Sequence, residues 1–212
     1  MLHSENKQDI ELIDLPGLIR WLHRQARDAD QNSSSRTALA ELRRGLRSDP
    51  RNQFVTGKYV VPFLGSEPRT PWQSWQEKCC YLVTALFASH PTPEHKHHIS
   101  LGAALGQIQE KSGSIEGRFL QLLAVRPDRR DDPERLRVPL RQAVSLLAAN
   151  SVQLDWQRLL TDLWQWNHDE KRVQQRWARD FYKAAPDRAL DPALDLTETM
   201  NDDTIEGDTD EN

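Results

Sequence analysis

LDWQRLLTDLWQWNHDEKRVQQRWARDFY, residues 154–182, reads as two amphipathic helices joined by a short polar link, Asn167-His168-Asp169. Asp155 is placed to cap the first helix. Behind it Trp156, Leu159, Leu160, Leu163, Trp164 and Trp166 recur at helical spacing. In the second helix Val173, Trp177 and Phe181 fall within about 80° of one another, a stripe suited to burial. Arg172, Arg176, Arg179 and Lys183 fall within about 60° on a different side. An apolar stripe opposed by a cationic row suits a helix lying along something negative. A solvated face explains one such row equally well, because Asp169, Glu170 and Asp180 are near enough for local pairing. Repetition of the pattern elsewhere has to separate the two readings.

The net charge of −4 hides an asymmetry. Residues 187–212 hold ten acidic side chains and one basic one, Arg188, for a local charge of −9, which leaves +5 on the first 186 residues. A basic body with an acidic extension points to a polyanionic partner. Hydrophobic residues at 37% and seven tryptophans suffice for a real core within one domain or two small ones. No apolar run approaches a membrane span. The start MLHSENKQDIELIDL lacks the basic and apolar regions of a signal peptide. Cys79 and Cys80 lie side by side in an apolar helical pattern, as expected of reduced core thiols in a cytoplasmic protein.

Along the chain, Pro16 marks a helix start near Leu15. A polar loop from Asp30 to Ser35 ends in a serine cap for RTALAELRRGLR, residues 36–47. There Leu39, Leu42 and Leu46 form the dry side. Arg36, Arg43 and Arg47 lie within about 40° of one another, with Arg44 beside them. Residues 48–71, punctuated by proline and glycine, predict a loop over the surface, with Tyr59-Val60-Val61 as a short strand at most. A buried helix follows from Trp72 to Ser89. Ser100 caps LGAALGQIQE, whose Gly102 and Gly106 predict a close helix approach. Lys111 to Ser114 supplies the expected division between an N-terminal helical domain, 1–112, and a C-terminal bundle, 113–186. The bundle opens with IEGRFLQLLAV, carrying Arg118. Next comes ERLRVPLRQAVSLLAA, carrying Arg137 and Arg141, in which Pro139 either delays the helix start or kinks it.

No catalytic set is legible. The motifs G-x-S-x-G and G-x-x-x-x-G-K are absent. The histidines His90, His95, His97 and His98 with Glu94 lack metal-ligand spacing and read as an exposed loop, so no cofactor or metal is expected. Trp164 and Trp166 read as core rather than base-stacking residues. What recurs is the basic helix face, rich in arginine, whose planar fork suits phosphate. The residues expected to bind nucleic acid are Arg36, Arg43, Arg44, Arg47, Arg118, Arg137, Arg141, Arg172, Arg176, Arg179 and Lys183. With no base-reading motif, these contacts are expected to hold backbone without reading sequence.

The segments RTALAELRRG, SLGAAL, RFLQLL, LRQAVSLL, LDWQRLLTDLWQW and RVQQRWARDFY occur in an order and spacing that resemble the CasB family, the small subunit of the type I-E CRISPR surveillance complex, Cascade. The resemblance covers roughly residues 15–185. It implies an all-α, non-catalytic protein of two small helical bundles packed together, here followed by a disordered acidic tail over 187–212. It implies as partners CRISPR RNA, target DNA as a displaced single strand, a second copy of the chain, and the backbone and large subunits of Cascade, with no membrane. The implied role is to steady the target-bound R-loop in antiviral defence. By motif, Arg36, Arg43 and Arg44 belong to the leucine/arginine helix, Arg118 to RFLQLL, and Arg141 to LRQAV. Arg172, Arg176 and Arg179 belong to the WARDFY helix. Thr37 stands where glycine is common in the family, and the acidic extension lies outside the family core. A structural spacer with solvated arginines is the alternative, and salt sensitivity separates the two. For the tail, a solubilising segment stands beside competition with DNA for the basic faces.

Overall fold

Cap chemistry and apolar periodicity divide the described residues into helices. The computed structural model describes residues 13–47, 50–65, 70–94, 96, 98–109, 114–126 and 133–184. Among them the elements are α1 Leu15–Asp28, α2 Ser33–Arg44, α3 Pro50–Val60 with a 3-10 turn Val61–Phe63, α4 Pro71–Ser89, α5 Leu101–Gly106, α6 Ser114–Ala124, α7 Glu134–Ala149, α8 Trp156–Trp164 and α9 Arg172–Ala184. The protein is all-α, as expected. Residues 187–212, and with them the acidic tail, lie outside the described residues.

Three of the expected helix starts hold, each with a side-chain oxygen meeting an orphan backbone N–H. Ser100 and Asp155 are the expected caps, whereas near Leu15, where Pro16 is the expected signal, the cap is Asp14. Asp14 Oδ1 accepts from the Gly17 N–H at 2.9 Å, ahead of a first turn containing Pro16. Ser100 Oγ accepts from Ala103 at 3.1 Å, and Asp155 Oδ1 from Arg158 at 2.9 Å. α2 departs from expectation. Its cap is Asn32, whose Oδ1 accepts from Ser34 at 2.8 Å, and Ser35 is a buried helical residue. The helix also ends at Arg44, so Arg47 sits in the following turn.

The surface loop expected over 48–71 is corrected in its centre, where α3 runs from Pro50 to Val60. Proline is compatible with a first helical position, and the weak propensity of Gly57 is outweighed by packing. Thr56 and Val60 are buried, and the Tyr59 hydroxyl donates to Glu41 Oε2 at 2.7 Å. Pro139 lies inside a continuous α7 rather than at its start.

One contiguous core takes Leu22, Leu42, Leu86, Phe119, Leu140, Trp156, Trp166 and Trp177 from both halves of the chain. α4 is central, packing on α2 and α3 and also on α7 and α8. The indole of Trp75 donates to the Leu163 carbonyl at 2.9 Å, and that of Trp164 to Gln76 at 3.2 Å, tying α4 to α8. Trp166 lies beyond α8 yet is fully buried, its N–H donating to the Val125 carbonyl at 3.1 Å. Both cysteines are buried thiols outside any disulfide, and burial, with the charge of Glu77 beside it, pushes Cys80 up to about 12.

α5, N-terminal to the expected domain division, lies along α9 and touches α6 and α7. The glycines permit it. A Cβ on Gly102 would stand 2.2 Å from the Trp177 carbonyl oxygen, and one on Gly106 would stand 2.3 Å from that of Phe181. This contact sets the position of α9, and Phe181 completes it by stacking on Phe119 of α6 at 4.3 Å.

Candidate nucleic-acid interface

α9 shows how the fold orients a basic row. Val173, Trp177 and Phe181 are buried, so the opposite side is turned outward. Its cations are not equivalent. Arg176 pairs with Asp162 of α8, a carboxylate that also accepts from the Trp177 indole N–H at 2.5 Å. Burial raises the pKa of Asp162, against the lowering effects of the Trp177 N–H and the Arg176 cation. Arg176 is therefore a structural counterion as much as a surface charge. Arg172 pairs with Glu170 at 2.5 Å on the open surface, where such a pair is readily exchanged for another anion. Asp180 does not neutralise the row. It faces α5 and α8, accepting from the Ser100 hydroxyl at 2.5 Å and from Arg158 at 3.1 Å. Arg179 and Lys183 are exposed and make no hydrogen bond or ion pair with a described residue.

The α2 row divides similarly. Arg36 donates to the carbonyls of Ala29 and Asp30 at 2.9 and 3.1 Å, closing the end of α1. Arg43 Nε donates to the Ala88 carbonyl at 2.9 Å in the last turn of α4. Both satisfy orphan helix-end carbonyls. Arg44 and Arg47 are exposed and make no such bond with a described residue. On α7, Arg137 pairs with Glu134 one turn earlier, while Arg141 is exposed without a pair among the described residues. Arg118 on α6 is likewise exposed, beside a cleft lined by Leu105, Ile115, Pro139 and Ala143.

The rows are not brought onto one helix pair. α2 packs on α1, α3 and α4, whereas α9 lies along α5. Sequence reasoning missed Arg51 and Lys58, because it placed them in a loop. The signal was present in PRNQFVTGKYV, which holds two cations and no carboxylate. Lys58 pairs with Glu41 at 2.7 Å, and the Lys58 ammonium, followed by the Tyr59 hydroxyl, holds Glu41 below the usual carboxylate range. The expected histidine loop shows no metal arrangement among the described residues. His90 Nε2 meets the Val152 carbonyl at 3.0 Å, and His95 and His97 lie outside the described residues. No helix of the described residues is long and apolar enough to cross a membrane.

The family model for the CRISPR-associated protein Cse2 matches residues 38–182, from the middle of α2 to the last turn of α9. The chain belongs to the Cse2 family. A curated Cse2 from Thermus thermophilus is 36% identical over 147 residues, which are 69% of this chain and 79% of that protein. The crystal structure of CasB from Thermus thermophilus superposes with a TM-score of 0.61 at 32% identity, covering 78% of this chain and 97% of that one. A chain of a CRISPR RNA-guided surveillance complex shares the fold, with a TM-score of 0.63 at 22% identity over 81% of this chain and 92% of its own length. The Cse2 match contains Arg43, Arg44, Arg47, Arg118, Arg137, Arg141, Arg172, Arg176 and Arg179. It leaves Arg36, Lys183 and the acidic extension outside.

Proposed function

We propose that this Cse2-family chain is a non-catalytic small subunit of a CRISPR RNA-guided surveillance complex of the Cascade type. In that complex it holds nucleic-acid backbone, above all the DNA strand displaced when the guide RNA pairs with its target. Its neighbours there are a second copy of itself, the backbone and large subunits, and the CRISPR RNA. The observation that carries the reading is the set of exposed cations left after the fold's own needs are met. Arg44, Arg47, Arg118, Arg141, Arg179 and Lys183 are all exposed and lack an ion pair among the described residues. Arg36, Arg43, Arg137, Arg172 and Arg176 have protein partners, and their remaining N–H groups supplement that set. Exchange of a DNA duplex for an RNA–DNA duplex is close to balanced, so modest phosphate contacts to the released strand bias it towards the open state.

Binding of the full chain to single-stranded and duplex DNA over a salt series tests this. Each phosphate contact on a single strand contributes roughly 0.7 to the slope of log K against log salt. Replacing Arg44, Arg47, Arg179 and Lys183 with Ala should weaken binding and flatten that slope by roughly 2 to 3. Arg36→Ala, which removes one cation already held by two carbonyls, should flatten it by no more than about 0.7. Equal, shallow slopes for the wild type and the fourfold variant would instead leave a spacer that makes only protein contacts.

A further inference from the structure

α3 carries a feature that phosphate binding alone does not use. Phe54 is 83% exposed on the helix, with Val55 and Val61 also open to solvent. A single exposed apolar residue needs no explanation, so what surrounds this one matters. Arg51, Phe54 and Lys58 fall within about 60° on α3. α2 packs against another side of α3. Glu41 meets Lys58 and Tyr59 at 2.7 Å, while a Cβ on Gly45 would meet Thr56 Cγ2 at 3.3 Å. Thr56 lies about 160° round α3 from Phe54, so the ring points away from α2 and its neighbours on the open face are Arg51 and Lys58. The one acidic side chain of α2, Glu41, is already engaged by Lys58 and Tyr59.

An open aromatic ring among cations is the minimal apparatus for holding a single strand. The ring stacks on a base while guanidinium and ammonium groups take the flanking phosphates. Protein interfaces also favour aromatic rings and arginine, but they set them in a wide apolar core, which one ring between two cations does not supply. Duplex DNA hides its base faces and offers only their edges. We infer that the α3 surface is a base-stacking site for single-stranded DNA. Phe54 receives one base, and Arg51 and Lys58, one turn to either side of it on the same face, hold the adjoining phosphates. This rests on the proposed backbone-binding role and adds to it a contact that requires a base.

The test compares a thymidine oligonucleotide, an abasic oligonucleotide of equal length and a duplex, each bound to the full chain and to variants at Phe54. Because Phe54 is exposed, the variants should fold, which circular dichroism checks. Phe54→Ala should weaken binding of the thymidine strand about tenfold, leave abasic and duplex binding unchanged, and preserve the salt slope. Phe54→Trp should bind at least as tightly as wild type, and Phe54→Leu, which keeps an apolar contact without a π face, should behave like Phe54→Ala. Wild-type affinity in Phe54→Ala or Phe54→Leu overturns the stacking site while leaving the backbone-binding role intact. A change in oligomeric mass in place of a change in affinity overturns it in favour of a protein contact. Failure of the wild-type chain to bind any of the three probes overturns the backbone-binding role as well.

Discussion

Replacing Gly102 with Ala should loosen the α5–α9 contact that positions the basic row of α9. The added Cβ would stand 2.2 Å from the Trp177 carbonyl oxygen, with the carbonyl carbon at 2.8 Å. An ordinary C···O contact is about 3.3 Å, so α9 has to retreat by about 1 Å. The obstacle is backbone in the middle of a helix, and no side-chain rotation relieves it. Overpacking of this kind costs about 1–3 kcal/mol, offset by about 0.5–1 kcal/mol from the better helix propensity of alanine. The net loss of about 1–2 kcal/mol lowers Tm by about 2–8 °C for a domain of this size. Gly117 in α6 is the internal control, since a Cβ there meets nothing within 4 Å. Gly117→Ala should therefore raise Tm by about 1–4 °C through propensity alone. Thermal unfolding followed by circular dichroism reads both. A rise for Gly102→Ala matching that for Gly117→Ala would refute the close approach, and with it the reason these glycines stand one turn apart.

The α9 cations should separate by role. Arg176→Ala leaves buried Asp162 without its counterion and should destabilise the chain by about 1–3 kcal/mol, whereas Arg179→Ala should stay within about 0.5 kcal/mol of wild type in urea unfolding. Equal effects would show that Arg176 is only a surface charge. Asp162 also has a signed pH dependence. Its folded pKa is raised from 3.8 by burial, so the native state holds this proton more tightly than the unfolded chain. The stability it contributes is fullest below pH 3.8 and falls as the pH rises through the folded value. The deficit of Asp162→Asn relative to wild type should accordingly be largest in acid and shrink towards neutrality. A deficit that grows with pH would mean the Trp177 N–H and the Arg176 cation outweigh burial. Finally, with its thiol pushed up to about 12, Cys80 should resist a thiol-specific disulfide reagent at mild alkaline pH and react once denaturant opens the core. Rapid labelling of the folded chain would contradict its burial.

Much of the fold was readable because its signals are local. Ser100 and Asp155 cap the helices they precede, each needing only a backbone N–H three residues on, and Pro16 marked the start of the first helix. The stripe Val173, Trp177 and Phe181 is buried as its spacing requires. Gly102 and Gly106 predicted a close approach because a missing side chain one turn apart leaves a smooth helix face. α3 was not readable, since the gain from burying Thr56 and Val60 and from the Tyr59–Glu41 bond lies in partners outside its own segment.

Periodicity placed the arginines in rows, and it does so from helix geometry alone. Which arginines remain available was settled by tertiary packing. Arg43 meets a carbonyl 45 positions away, and Arg176 meets a carboxylate 14 positions away on another helix. Arg179, three positions after Arg176, has no such partner among the described residues. A helical repeat knows only the angle at which a side chain leaves its own axis. The charge left at the surface depends on what the rest of the chain brings to meet it.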